Sequence, residues 1–206
     1  MPDLKEIFSF KVAIFDMDGT LIDSEPYHLK AWQAVCTKYS LPLMTPAWQK
    51  QVQGMDSVRV CQKLCADCGR SGLDFTAMAQ DKNDFYQSRF LKMVPLCPRI
   101  ASLLEQSHAR GLKTAVASGS YLNEVHYILE KYSLLQCVDV IVTSEQVKHA
   151  KPAPDTFLTC AQRLGVEPGE CLVLEDALLG LQGAKAAQMT ALQVAQDRII
   201  SDFIRP

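Results

Sequence analysis

The apolar residues of this chain fall into two patterns. Short, mainly apolar blocks lie at 12–15, 113–117, 138–142, 171–174 and 190–194. Their length and continuity are those of strands buried on both faces. Between them, at 98–110, 122–131, 154–164 and 177–188, apolar positions recur at the spacing of a helix face. Gly111 and Gly165 stand where helix ends favour glycine. Strands alternating with helices predict βαβ units and a parallel sheet with right-handed crossovers. From 24 to 91 the pattern is helical only. Ser24 can cap a first helix that carries Glu25 and Pro26 in its first turn and runs through Tyr39. Further helices are expected over 46–53, 56–68 and 74–91. The expected fold is α/β, a parallel Rossmann-like sheet core (1–23 and 92–206) with an inserted all-helical cap (24–91).

Three strand ends carry polar groups that a structural segment does not need. The first strand runs into Asp16 and Asp18, the second into Ser118, and the fourth into Glu175 and Asp176. Crowded carboxylates repel one another and resist burial, so a cation between them is one explanation. A polar turn that uses Asp-Gly for its geometry is another. In a parallel sheet the strand C-termini share one edge, where open α/β proteins bind ligands. The loop 148–154, with Pro152 and Pro154 restricting the residues before them, adds Lys151 after the third strand. Taken alone, that lysine reads as solvated.

Composition narrows the setting. The chain has 206 residues, 48% hydrophobic, with a net charge of −2. Neither nucleic acid nor a membrane is indicated as a partner. No apolar run reaches bilayer length, and 1–10 lacks a signal-peptide core. A cytoplasmic protein with reduced thiols is expected. Cys61, Cys65 and Cys68 have a spacing also used for iron–sulfur ligation. The same spacing is one face of a helix, and buried helix thiols are the expectation here.

The ordered set of Asp16-x-Asp18-Gly19-Thr20, Ser118, Lys151-Pro152 and Glu175-Asp176 resembles the haloacid dehalogenase-like phosphotransferase superfamily, over nearly the whole chain. Within it the chain is similar to the β-phosphoglucomutase-like group, and 148–157 is similar to its small bacterial fructose-1-phosphate phosphatases. The resemblance implies that Asp16 is a nucleophile forming an aspartyl-phosphate, and that Asp18 is the acid and then the base. It implies Mg²⁺ held by the Asp16 and Asp176 carboxylates and the Asp18 carbonyl, with Glu175 a ligand through water or a support. Ser118, the backbone at Gly119 and Lys151 would hold phosphate. His28 and Lys82 match cap residues of the group, and the cap would read the leaving group. The expected substrate is a small phosphorylated sugar and the expected state a monomer. A mutase is the runner-up reading, and a silent phosphometabolite-binding regulator a remote third. A mutase needs a second phosphate grip, made in that group by a cap arginine. Ser57 stands at the matching position, and Arg59 is expected to face elsewhere.

Overall fold

The computed structural model describes residues 4–206; residues 1–3, which head the expected core segment, lie outside the described residues. In chain order the regular elements are α1 (Leu4–Ile7), β1 (Val12–Phe15), α2 (Glu25–Lys38), α3 (Pro46–Val52), α4 (Ser57–Asp67) and α5 (Phe75–Phe85). A π-helical turn (Tyr86–Phe90) and a 3₁₀ turn (Leu91–Met93) follow. Then come α6 (Pro98–Ala109), β2 (Lys113–Ser118), α7 (Leu122–Lys131), β3 (Val140–Thr143) and α8 (Asp155–Leu164). The chain ends with β4 (Cys171–Glu175), α9 (Leu178–Ala186), β5 (Thr190–Ala195) and β6 (Arg198–Ile199). It divides into two compact units, Met1–Asp23 with Pro95–Pro206, and Ser24–Val94.

The first unit is built on a sheet of order β3-β2-β1-β4-β5-β6. Its first five strands are parallel. Every residue of β1 is fully buried, and Val12, Ile14 and Phe15 each contribute on the order of 1.5–3 kcal/mol through removal from water. Alternation divides the strands between two faces. Val12, Ile14, Ala115, Ala117 and Val173 join Phe157 and Ala161 of α8 and Leu181 and Ala184 of α9 in one core cluster. Ala13 and Phe15 alternate with those β1 residues, and α6 packs against β1 and β2. β6 is antiparallel to β5. It has no counterpart in the apolar pattern of the sequence, because a two-residue strand leaves no measurable period.

The second unit is helical. Thr45 caps α3 by accepting from Trp48 N–H, and Asp56 caps α4 by accepting from Arg59 N–H at 3.0 Å. Asp74 caps α5 by accepting from Thr76 and Ala77 N–H. Each such cap is worth about 1 kcal/mol. Ser24 occupies the cap position of α2, but its side chain makes no cap bond. Its backbone is already helical (φ −89°, ψ −19°) rather than extended, so the hydroxyl does not reach the first-turn N–H groups. Trp32, Val35, Val60, Leu64 and Met78 form the core of this unit, and Cys36, Cys61 and Cys65 are buried among them. All eight cysteines carry free thiols. The expected 74–91 helix changes bonding at Tyr86. Apolar spacing over so short a stretch does not separate α from π bonding.

Candidate active site

Strand register builds the centre. Phe15 lies opposite Val116 of β2 and Leu174 of β4. The next rung therefore sets Asp16 between Ala117 and Glu175, and Asp16 N–H donates to the Leu174 carbonyl at 2.9 Å. Glu175 is thus the last residue of β4, not the first of a loop. The side chains of Asp16 and Glu175 project to the α8/α9 face, since alternation puts them with Ile14 and Val173.

Lys151 closes this rung. Its Nζ donates to Asp16 Oδ1 at 2.6 Å, to Glu175 Oε2 at 2.7 Å and to the Ala117 carbonyl at 3.0 Å. It lies 5.0 Å from the Phe157 ring of α8. A surface loop would leave this lysine solvated, but its side chain is only 9% exposed. Burial alone would depress the ammonium's pKa, but Asp16 and Glu175 reverse that and raise it. Burial, and next the Glu175 carboxylate, push the Asp16 carboxyl well above the ordinary range, although Lys151 pulls it partway back. Glu175 is fixed from behind as well, for its Oε1 accepts from Ala177 N–H at 3.2 Å.

Two glycines make room for the acids. Gly19 has φ +75°, and a Cβ there would overlap the Asp176 carboxylate. A Cβ at Gly180 of α9 would overlap the Glu175 carboxylate. Carboxylate oxygens of Asp16, Glu175 and Asp176 lie within 4.8 Å of one another. Lys151 pairs with two of these three acids, so the cluster carries more carboxyl groups than cations. All-oxygen donors of this kind fit Mg²⁺. The Asp18 side chain is not in this acidic group; its Oδ2 accepts from Ser120 Oγ at 2.7 Å.

Ser118 ends β2 almost wholly buried, and its Oγ accepts from Ser120 N–H at 3.0 Å. That leaves the hydroxyl hydrogen as its donor. The Gly119 carbonyl accepts from Ser144 Oγ at 2.9 Å. Asp16, Asp18, Ser118, Gly119, Lys151, Glu175 and Asp176 all belong to the first unit. Ser120 and the Ala117 carbonyl were not legible in the sequence. A second serine after Ser118 carries no signal by itself, and a strand carbonyl carries none at all.

His28 and Lys82 belong to the helical unit. The His28 ring stacks on Tyr86 with centroids 4.1 Å apart and planes at 24°. Lys82 is buried, with Nζ 5.3 Å from the Tyr86 centroid and 5.8 Å from that of Trp32. Tyr86, missed from the sequence, brings these two residues to one ring. Arg59 is paired with Asp56 at 3.8 Å and is mostly exposed. Among the described residues, no helix is long and apolar enough to cross a membrane.

Comparison with known proteins adds a lineage to this geometry. Residues 13–194 match the haloacid dehalogenase-like hydrolases. The chain is 39% identical over 181 residues to the fructose-1-phosphate phosphatase YqaB of Escherichia coli, covering 88% of this chain and 94% of that protein. It is 30% identical over 192 residues to the β-phosphoglucomutase of Bacillus subtilis, covering 90% and 84%. The crystal structure of the β-phosphoglucomutase of Clostridium difficile superposes with a TM-score of 0.79 at 25% identity, covering 89% of this chain and 84% of that one.

Proposed function

Because the chain belongs to the haloacid dehalogenase-like hydrolase family, we propose that it is a Mg²⁺-dependent phosphatase of small sugar phosphates, with fructose-1-phosphate the foremost candidate. The observation that carries this reading is the rung of Asp16 and Glu175 closed by Lys151, with Asp176 beside it. The likeness to a fructose-1-phosphate phosphatase supports the choice of substrate.

In the first step an Asp16 carboxylate oxygen bonds to phosphorus as the bond from phosphorus to the sugar oxygen breaks. Asp18 gives its proton to that oxygen. In the second step water attacks the aspartyl-phosphate, its proton passes to Asp18, and Asp16 leaves as a carboxylate with release of inorganic phosphate. Ser118, the Gly119 N–H and Lys151 hold phosphate oxygens in both steps. Asp16, Asp176 and the Asp18 carbonyl would hold Mg²⁺, with Glu175 at their side. Bound there, Mg²⁺ supplies the positive charge that the acids and a phosphate dianion need. Choice among leaving groups is assigned to His28 and Lys82. The protein is expected to work in the cytoplasm as a monomer.

Hydrolysis is favoured over isomerisation by the start of α4. Ser57 opens that helix, Asp56 caps it, and Arg59 is engaged with Asp56. The resemblance to the mutase group implies an arginine at the position of Ser57, where it would grip a second phosphate. The nucleophile is tested by intact-protein mass spectrometry of Asp18→Asn after mixing with p-nitrophenyl phosphate and Mg²⁺. A phosphate adduct is expected, and it should vanish when Asp16→Asn is added to that background. Wild-type turnover by Asp16→Asn alone would rule the mechanism out.

A further inference from the structure

The turn after β2 is tied to Asp18 as well as to Ser118. Ser120 Oγ donates to Asp18 Oδ2 at 2.7 Å. Ser120 is itself braced, its N–H donating to Ser118 Oγ at 3.0 Å. The flanking residues are braced too: the Gly119 carbonyl accepts from Ser144 Oγ, and Leu122 N–H donates to Glu145 Oε2 at 2.8 Å. On the other side Asp18 lies in a closed turn. The N–H groups of Thr20, Leu21 and Ile22 converge on the Met17 carbonyl, and Gly19 N–H donates to the Ile22 carbonyl at 2.8 Å. A hydroxyl–carboxylate bond thus joins two hydrogen-bonded turns.

A carboxylate turns about its Cβ–Cγ bond through a broad well. A donor delivered by a braced turn narrows that well. We propose that Ser120 is the positioning residue for the proton donor Asp18, a role that rests on the phosphatase reading above. As the bond from Asp16 to phosphorus forms and the ester bond breaks, the proton leaves the Asp18 carboxyl for the departing oxygen. The bond from Ser120 sets the plane from which that proton is delivered. Ser118, on the same turn, holds the phosphate, so a single rigid segment fixes the position of phosphorus and the aim of the acid.

An acid matters in proportion to how badly the leaving oxygen needs a proton. p-Nitrophenolate leaves unaided; phenolate and a sugar alkoxide do not. The test is kcat/KM of wild type, Ser120→Ala and Ser120→Thr with p-nitrophenyl phosphate, phenyl phosphate and fructose-1-phosphate. Ser120→Ala should lose roughly 10- to 100-fold on fructose-1-phosphate. The loss should be smaller on phenyl phosphate and within about 3-fold on p-nitrophenyl phosphate. Ser120→Thr, which keeps the hydroxyl, should restore most of the loss, and both variants should melt near wild type. Equal losses on all three substrates would overturn the proposal, because they would mean damage to the fold or to phosphate binding. Unchanged rates on the poor leaving groups would overturn it too. A wild type active on the aryl esters alone would discard the sugar assignment, while the aryl pair would still decide the role of Ser120. A wild type inactive on all three would overturn the phosphatase reading and this role with it.

Discussion

Lys151 has two buried acids within 2.7 Å, and its own side chain is only 9% exposed. Opposite charges this close attract by about 4 kcal/mol or more at an effective dielectric of ~20, before desolvation is counted. Removing one partner of such a set leaves the others buried and uncompensated. Lys151→Met should therefore lower stability by about 3 kcal/mol without added metal, read by chemical denaturation. It should also slow phosphate release by roughly 10²–10³-fold, since Asp16 and Glu175 lose the cation between them and, on the proposed mechanism, the phosphate loses one as well. Near-wild-type values for both would mean that the lysine is a bystander. Asp16 and Asp18 were legible in the sequence because paired acids after an apolar strand demand an explanation. Lys151 was legible only through its company of motifs, since one lysine between prolines looks like any other. Ser120 was not legible, because its partner is 102 residues away and only the fold joins them.

The elements position these residues through close approach as much as through hydrogen bonds. Helix α9 passes so near the end of β4 that Gly180 has no room for a Cβ beside the Glu175 carboxylate. Alanine ordinarily stabilises a helix interior over glycine by about 1 kcal/mol. Gly180→Ala should do the reverse, destabilising by about 1–3 kcal/mol as Glu175 is displaced. It should cut activity about 10-fold or more as Lys151 loses one of its anchors. Gly169→Ala, where a Cβ would meet nothing within 4 Å, should change stability by less than about 0.5 kcal/mol. Thermal melting of the two variants checks the contrast, and equal effects would contradict it. The five parallel strands and their helices were readable because buried strands and amphipathic helices leave distinct periods. The π turn at Tyr86 and the two-residue β6 were not, since neither lasts long enough to have one. Ser24 looked like a helix cap by residue type, and its backbone angles prevent it.

For the whole chain, the order of motifs was the most readable feature, because four strand-linked groups in sequence constrain a fold far more than any one does. Phosphatase and mutase share that order, so the distinction rests on the start of α4. There Ser57 opens the helix, and Arg59, mostly exposed, lies 3.8 Å from Asp56. The decisive measurement follows two products of the purified protein in Mg²⁺. One is inorganic phosphate from fructose-1-phosphate; the other is glucose-6-phosphate from β-glucose-1-phosphate with a bisphosphate primer. Rapid phosphate release that EDTA abolishes and Mg²⁺ restores is expected, with negligible isomerisation. Isomerisation that outruns phosphate release, or full activity in chelator, would contradict it.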